Sequence, residues 1–145
     1  MSRNDVPSCA NTQLAEPTAI VRKDRRITFE WLVKEDQQHG EPRRHLACLN
    51  VTHQRAGCNM FSGRQHGNCY TASLGREVET RGPYGVARGF RLFSALGIVA
   101  EDTSRFSQKQ FERFADLALA RLRALYAAGD ERVMPYFDPE QDGGS

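Results

Sequence analysis

Between His45 and Cys69 the chain reads HLACLNVTHQRAGCNMFSGRQHGNC, and these 25 residues hold three of its four histidines and three of its four cysteines. Imidazole and thiolate are the donors that a structural zinc ion takes in tetrahedral sites. His45-x2-Cys48 and His66-x2-Cys69, 17 residues apart, have the spacing of two zinc knuckles with His replacing one Cys in each. The second pair, HGNC, carries the glycine that a tight knuckle needs. The first pair, HLAC, sits in an alternating segment, where residues three apart point to opposite faces of a strand. His45, Cys48, His66 and Cys69 therefore bind one zinc ion only if the strand breaks at the first pair. A thiol nucleophile is the second chemistry: Cys58 or Cys69 with His53 or His66 as base. It requires an electropositive niche and an orienting partner that no residue pattern marks. Glu77 and Glu79 share a strand face as a carboxylate pair would, but a solvated strand end is the better account of them. The chain has no P-loop, GxGxxG or HExxH, so no motif stands behind an enzymatic reading.

Arginine is the remaining source of chemistry. Seventeen of the twenty basic residues are Arg, and residues 43–100 carry eight basic against two acidic side chains, whereas residues 101–145 carry six basic and nine acidic. Arg presents a planar fork suited to phosphate and to stacking on bases. Aromatic residues interleave with it: Arg88 with Phe90, Arg91 with Phe93, Tyr70 with Arg76, and Arg55 and Arg64 flank Phe61. Cations that follow phosphates and rings that stack on bases are how sheets hold single strands. The set Arg55, Arg64, Tyr70, Arg76, Arg88, Phe90 and Arg91 is thus the candidate nucleic-acid surface. The competing reading puts Tyr70, Phe90 and Phe93 in the core, with Arg at sheet edges to discourage edge pairing.

The elements that would position these residues follow from periodicity. Residues 1–17 are polar with Pro7 and Pro17 and are expected to be disordered. Apolar alternation in RITFEWLV marks a first strand that can begin as early as Thr18, and RHLACLNVTH a second. After a long loop, CYTASLGREVE forms a third, with Gly75 as an expected bulge. VARGFRLFSALGIVAE forms a fourth, bent at Gly89 or Gly97. SQKQFERFADLALARLRALYAAG predicts a helix over 107–128: Ser107 and Gln110 form a capping box, Gly129 stops it, and Phe111, Phe114, Ala115, Ala118, Leu122 and Leu125 share one face. Residues 138–145 form an acidic tail, also expected to be disordered.

These readings give one α+β domain over 18–137: a four-stranded antiparallel meander sheet with one long C-terminal helix packed on one face. In outline that order is similar to the whirly-type single-strand binders, a likeness of fold alone. The start of the chain shows no signal peptide, and no apolar run reaches the roughly 18 residues of a membrane span, so the expected location is the cytoplasm, with reduced thiols. The expected function is a non-catalytic nucleic-acid-binding accessory protein for single-stranded DNA or RNA. The alternative is a protein-interaction module or inhibitor, dimeric or with another partner, and a small zinc-binding domain is third. No other cofactor and no membrane partner is expected.

Overall fold

Alternating apolar and polar residues form five strands of one antiparallel sheet in the computed structural model. It describes residues 13–55, 57–58, 62–63, 65–102 and 106–140, and of 58, 65, 66 and 90–102 the backbone alone. The strands β1 (Ala19–Lys23), β2 (Arg26–Gln38), β3 (Glu41–Gln54), β6 (Asn68–Gly82) and β7 (Gly85–Asp102) lie side by side in chain order. The short strands β4 (Gly57–Cys58) and β5 (Gln65–His66) pair separately inside the long connection between β3 and β6. The helix α1 (Gln108–Ala127) follows, and then a 3-10 turn at Met134–Phe137. The α+β meander is as the sequence indicates, with five strands in place of four.

The extra strand comes from a turn without punctuation. Arg25 adopts φ 62°, and this reverses the chain so that Val21 faces Thr28 and Lys23 faces Arg26. The next turn is more ordinary: His39 and Gly40 both have positive φ, 53° and 79°, as a two-residue hairpin with primed geometry requires. Gly75 is not a bulge. It lies opposite Cys48 in an unbroken register running from Arg43 opposite Thr80 to Gln54 opposite Cys69. The irregularities fall at Val33 in β2 and in β7, where Arg91 and the pair Leu96–Gly97 have no partner in β6. Residues on β6 are thus fixed between two neighbours, while the outer strand absorbs the twist.

The helix starts and stops by local chemistry. The Ser107 hydroxyl accepts from the Gln110 amide at 3.3 Å. At the other end Gly129, at φ 66°, donates to the Tyr126 carbonyl, and Asp130 donates to that of Leu125. These two bonds form a Schellman motif. The buried stripe of α1, Phe111, Phe114, Ala115, Ala118, Leu119 and Leu122, packs on one face of the sheet. That face presents Ile27, Phe29 and Trp31 from β2, Ala47, Leu49 and Val51 from β3, and Tyr70, Ala72 and Leu74 from β6. At about 1.5–3 kcal/mol for each large apolar side chain removed from water, this layer is the main stabilising element.

Two flanking segments close the layer. Residues 13–18 run along it: Leu14 packs on the core, the Trp31 indole donates to the Ala15 carbonyl at 2.8 Å, and the Leu32 amide donates to the Thr18 hydroxyl. The boundary drawn at residue 18 thus falls inside this tether. After α1, Val133 and Tyr136 are buried, and Phe137 sets its ring edge-on to Trp31 and Tyr126. Among the described residues, no helix is long and apolar enough to cross a membrane.

Candidate functional site

The face of the sheet turned away from α1, here the far face, is where chemistry-bearing side chains gather. Strand alternation assigns to it Arg26, Thr28 and Glu30 on β2, Leu46, Cys48, Asn50 and Thr52 on β3, and Thr71, Ser73 and Glu77 on β6. Arg88 of β7 joins Glu77 at 3.2 Å and Glu30 of β2 at 2.9 Å. β2 and β7 are three strand spacings apart, about 14 Å, so the Arg88 and Glu30 side chains must lie along the sheet. They cover Cys48, whose sulfur is 3.9 Å from the guanidinium and fully buried. Burial, reinforced by Glu77, pushes the Cys48 thiol up and keeps it protonated and inert. Burial opposes the charge on Arg88, but the two carboxylates outweigh it and hold its pKa above the ordinary value.

Beside this bridge, toward β1, a cleft of about 200 Å³ opens. Glu30, Glu77 and Arg88 form one end, and Lys23 and Arg26 the other, with Val21, Thr28 and Asn50 as the floor between them. The Thr28 hydroxyl donates to Asn50 Oδ1 at 3.1 Å, and the hydroxyls of Thr52 and Thr71 bond each other at 2.9 Å. Among the described residues, the buried amide nitrogen of Asn50 has no hydrogen-bond partner. No carboxylate among the described residues pairs with Lys23 or Arg26.

The residues that sequence reasoning proposed for nucleic acid do not form one surface. Tyr70 is buried against α1, ringed by His53, Phe106, Phe111 and Phe114. Arg76 shares its face, as alternation requires, and is fully buried: its Nη1 donates to the carbonyls of Pro135, Tyr136 and Asp138 and so pins the C-terminal segment. Arg88 belongs to the far face and is 34 % exposed. Arg55 is exposed beyond the end of β3. Phe90 takes the position opposite Glu77, and Arg91 is the bulged residue beside it; Arg64 lies outside the described residues. The picture of an open basic platform is corrected on two counts. Tyr70 sits beneath α1 and Arg76 beneath the segment after it, and the middle of the far face is covered by an Arg–carboxylate bridge over Cys48.

The zinc quartet is likewise dispersed. His45 lies on the helix face and Cys48 on the far face. Cys69, opposite Gln54, is six rungs from the Cys48 position, about 20 Å along the ladder. The His66 backbone belongs to β5. Among the described residues, no group of three or more His, Cys, Asp or Glu side chains is arranged to hold a metal ion. His45 instead serves Asp36, with its Nε2 3.1 Å from Oδ2, while Arg43 binds the same carboxylate through two 2.8 Å bonds. The Arg43 bonds hold the Asp36 pKa down to about 2, and burial holds His45 below its ordinary value, so a neutral imidazole donates to a charged carboxylate.

The fold and the cleft together define an α+β sheet-and-helix module with a mixed-charge pocket on the face turned away from α1. No protein-family description, curated protein or solved structure matches the chain.

Proposed function

We propose that the protein is a non-catalytic binding module that takes an anionic ligand on the far face of its sheet. The observation that supports this is the unequal pairing within the cleft. Glu30 and Glu77 are already bridged by Arg88, whereas among the described residues no carboxylate pairs with Lys23 or Arg26 and the buried Asn50 amide nitrogen has no hydrogen-bond partner. Single-stranded DNA or RNA is the polymeric form of such a ligand, favoured by the arginine-rich middle of the chain. Its phosphates would follow the Lys23–Arg26 end of the cleft rather than the stacking platform expected around Tyr70. The test is binding of a labelled single-stranded oligonucleotide and of small anions at about 50 mM salt. Affinity should fall steeply as salt rises, through counterion release, and should be lost in the Lys23→Gln/Arg26→Gln double variant. Failure to retain any anionic ligand at low salt would overturn the reading.

A protein-interaction role is the second reading. It is favoured by the β6–β7 hairpin tip, where Tyr84 is fully exposed and Val86 is about half exposed. A Tyr84→Ala/Val86→Ser variant that loses a partner while keeping anion binding would establish that role independently.

A further inference from the structure

Resting on the anion-binding reading, we infer that the cleft is built for a small phosphomonoester, whose phosphate sits between Lys23, Arg26 and the Asn50 amide and whose hydroxyl- or amine-bearing body points toward Glu30 and Glu77. Three independent features carry this.

The first is an uncompensated like-charge pair. Lys23 and Arg26 are cross-strand partners directly opposite each other in the β1–β2 hairpin, and alternation puts both on the far face. Like charges in that position destabilise an antiparallel pair, and no carboxylate among the described residues relieves them. Elsewhere the sheet supplies carboxylates freely: Asp36 for Arg43, Glu79 for Arg44, and Glu30 with Glu77 for Arg88. An anion between Lys23 and Arg26 would turn the repulsion into two charge-assisted contacts.

The second is the Asn50 amide nitrogen, a buried donor without a partner among the described residues, on a side chain in the floor of the same cleft. Its oxygen already accepts from Thr28, so only the donor end lacks a partner. A buried donor left unpaired is costly and calls for an acceptor. The third is the bipolar layout. Arg26 and Glu30 are four residues apart on β2, about 13 Å along the strand, so anion-seeking and donor-seeking ends are separated by the length of a small metabolite. At about 200 Å³ the cleft lies below the roughly 300–1,000 Å³ of pockets for drug-sized ligands. That suits a phosphate with a short polyol or amine body.

The experiment is titration calorimetry of the full chain with ribose 5-phosphate, inorganic phosphate, uncharged ribose and a single-stranded oligonucleotide. Ribose 5-phosphate should bind, phosphate more weakly, and ribose not at all. Arg26→Gln and Asn50→Ala should each weaken ribose 5-phosphate about tenfold, whereas Arg132→Gln, on the exposed segment after α1, should not. Arg26→Gln should also leave the melting temperature unchanged or raised, since it removes a like-charge contact; this separates lost binding from lost folding. If the oligonucleotide binds through Lys23 and Arg26 but ribose 5-phosphate does not, the phosphomonoester inference fails and the anion-binding reading stands. Ribose 5-phosphate binding that is indifferent to Arg26→Gln and Asn50→Ala overturns the site. Binding of neither anion overturns both.

Discussion

The two faces of this sheet are made by the same strands, residue by alternate residue, and they treat charge in opposite ways. On the helix face Arg43 pairs with Asp36, and a second guanidinium, Arg76, is fully buried and donates to three backbone carbonyls of the segment after α1. On the far face Arg88 is a third exposed and is matched by two carboxylates from other strands. The first arrangement fixes chain to chain through the Arg76 Nη1. The second is a surface network that stops short of the β1–β2 turn, where no carboxylate among the described residues pairs with Lys23 or Arg26. The anion-binding proposal therefore rests on the face that holds the cleft, and stability on the face that aromatic rings and α1 close.

That division can be broken by mutation, and the largest effect belongs to the core. Phe111→Ala should cost about 3–5 kcal/mol in urea unfolding, as for deep aromatic truncations, whereas Asn50→Ala should cost under about 1 kcal/mol. Comparable costs would erase the distinction between the faces. Next, Arg76→Ala should cost about 2–3 kcal/mol through charged hydrogen bonds to buried carbonyls. It should also shift the emission of Trp31, the only tryptophan, because Phe137 would leave its edge. An unchanged emission spectrum would mean that Arg76 does not hold the C-terminal segment.

Acid sharpens the comparison further. Burial lowers the pKa of His45, so below pH 6.5 the unfolded chain takes up a proton that the folded one resists, and stability falls as pH drops from there. Asp36 is held at about 2, so its contribution is intact above its ordinary value of 3.8 and is lost between that and about pH 2. His45→Gln should flatten the melting-temperature profile between pH 7 and 5 and leave the lower limb in place; an unaltered upper limb would exclude His45 as its source. The smallest energetic effect is expected at the Arg88 bridge. A double-mutant cycle between Glu30 and Arg88 should give under about 1 kcal/mol, as partly exposed pairs do. Arg88→Ala should nevertheless speed alkylation of Cys48, read by peptide mapping, because it removes the cover over the thiol.

Much of this was legible in the chain. The helix was bounded by Ser107 and Gly129, and its apolar stripe named its own partners. Alternation put Tyr70 and Arg76 on one face, but it does not say which face a helix will take, and so both were placed on the open side. The Lys23–Arg26 pair was hidden because Asp24–Arg25 turns the chain without Gly, Pro or Asn, at a left-handed Arg that propensity disfavours. Without that turn β1 reads as the beginning of β2, and the cation pair as a run of charge. Glu30 and Glu77 were unreadable as a site because Arg88, 58 residues from Glu30 in sequence, is what joins them.

The most direct measurement is amide chemical-shift mapping of the full chain titrated with ribose 5-phosphate. The account predicts progressive shifts at Val21, Lys23, Arg26, Thr28 and Asn50, with the α1 amides and the hairpin tip around Tyr84 unmoved. Shifts confined to α1 or to the Tyr84 tip, or none at all, would contradict it.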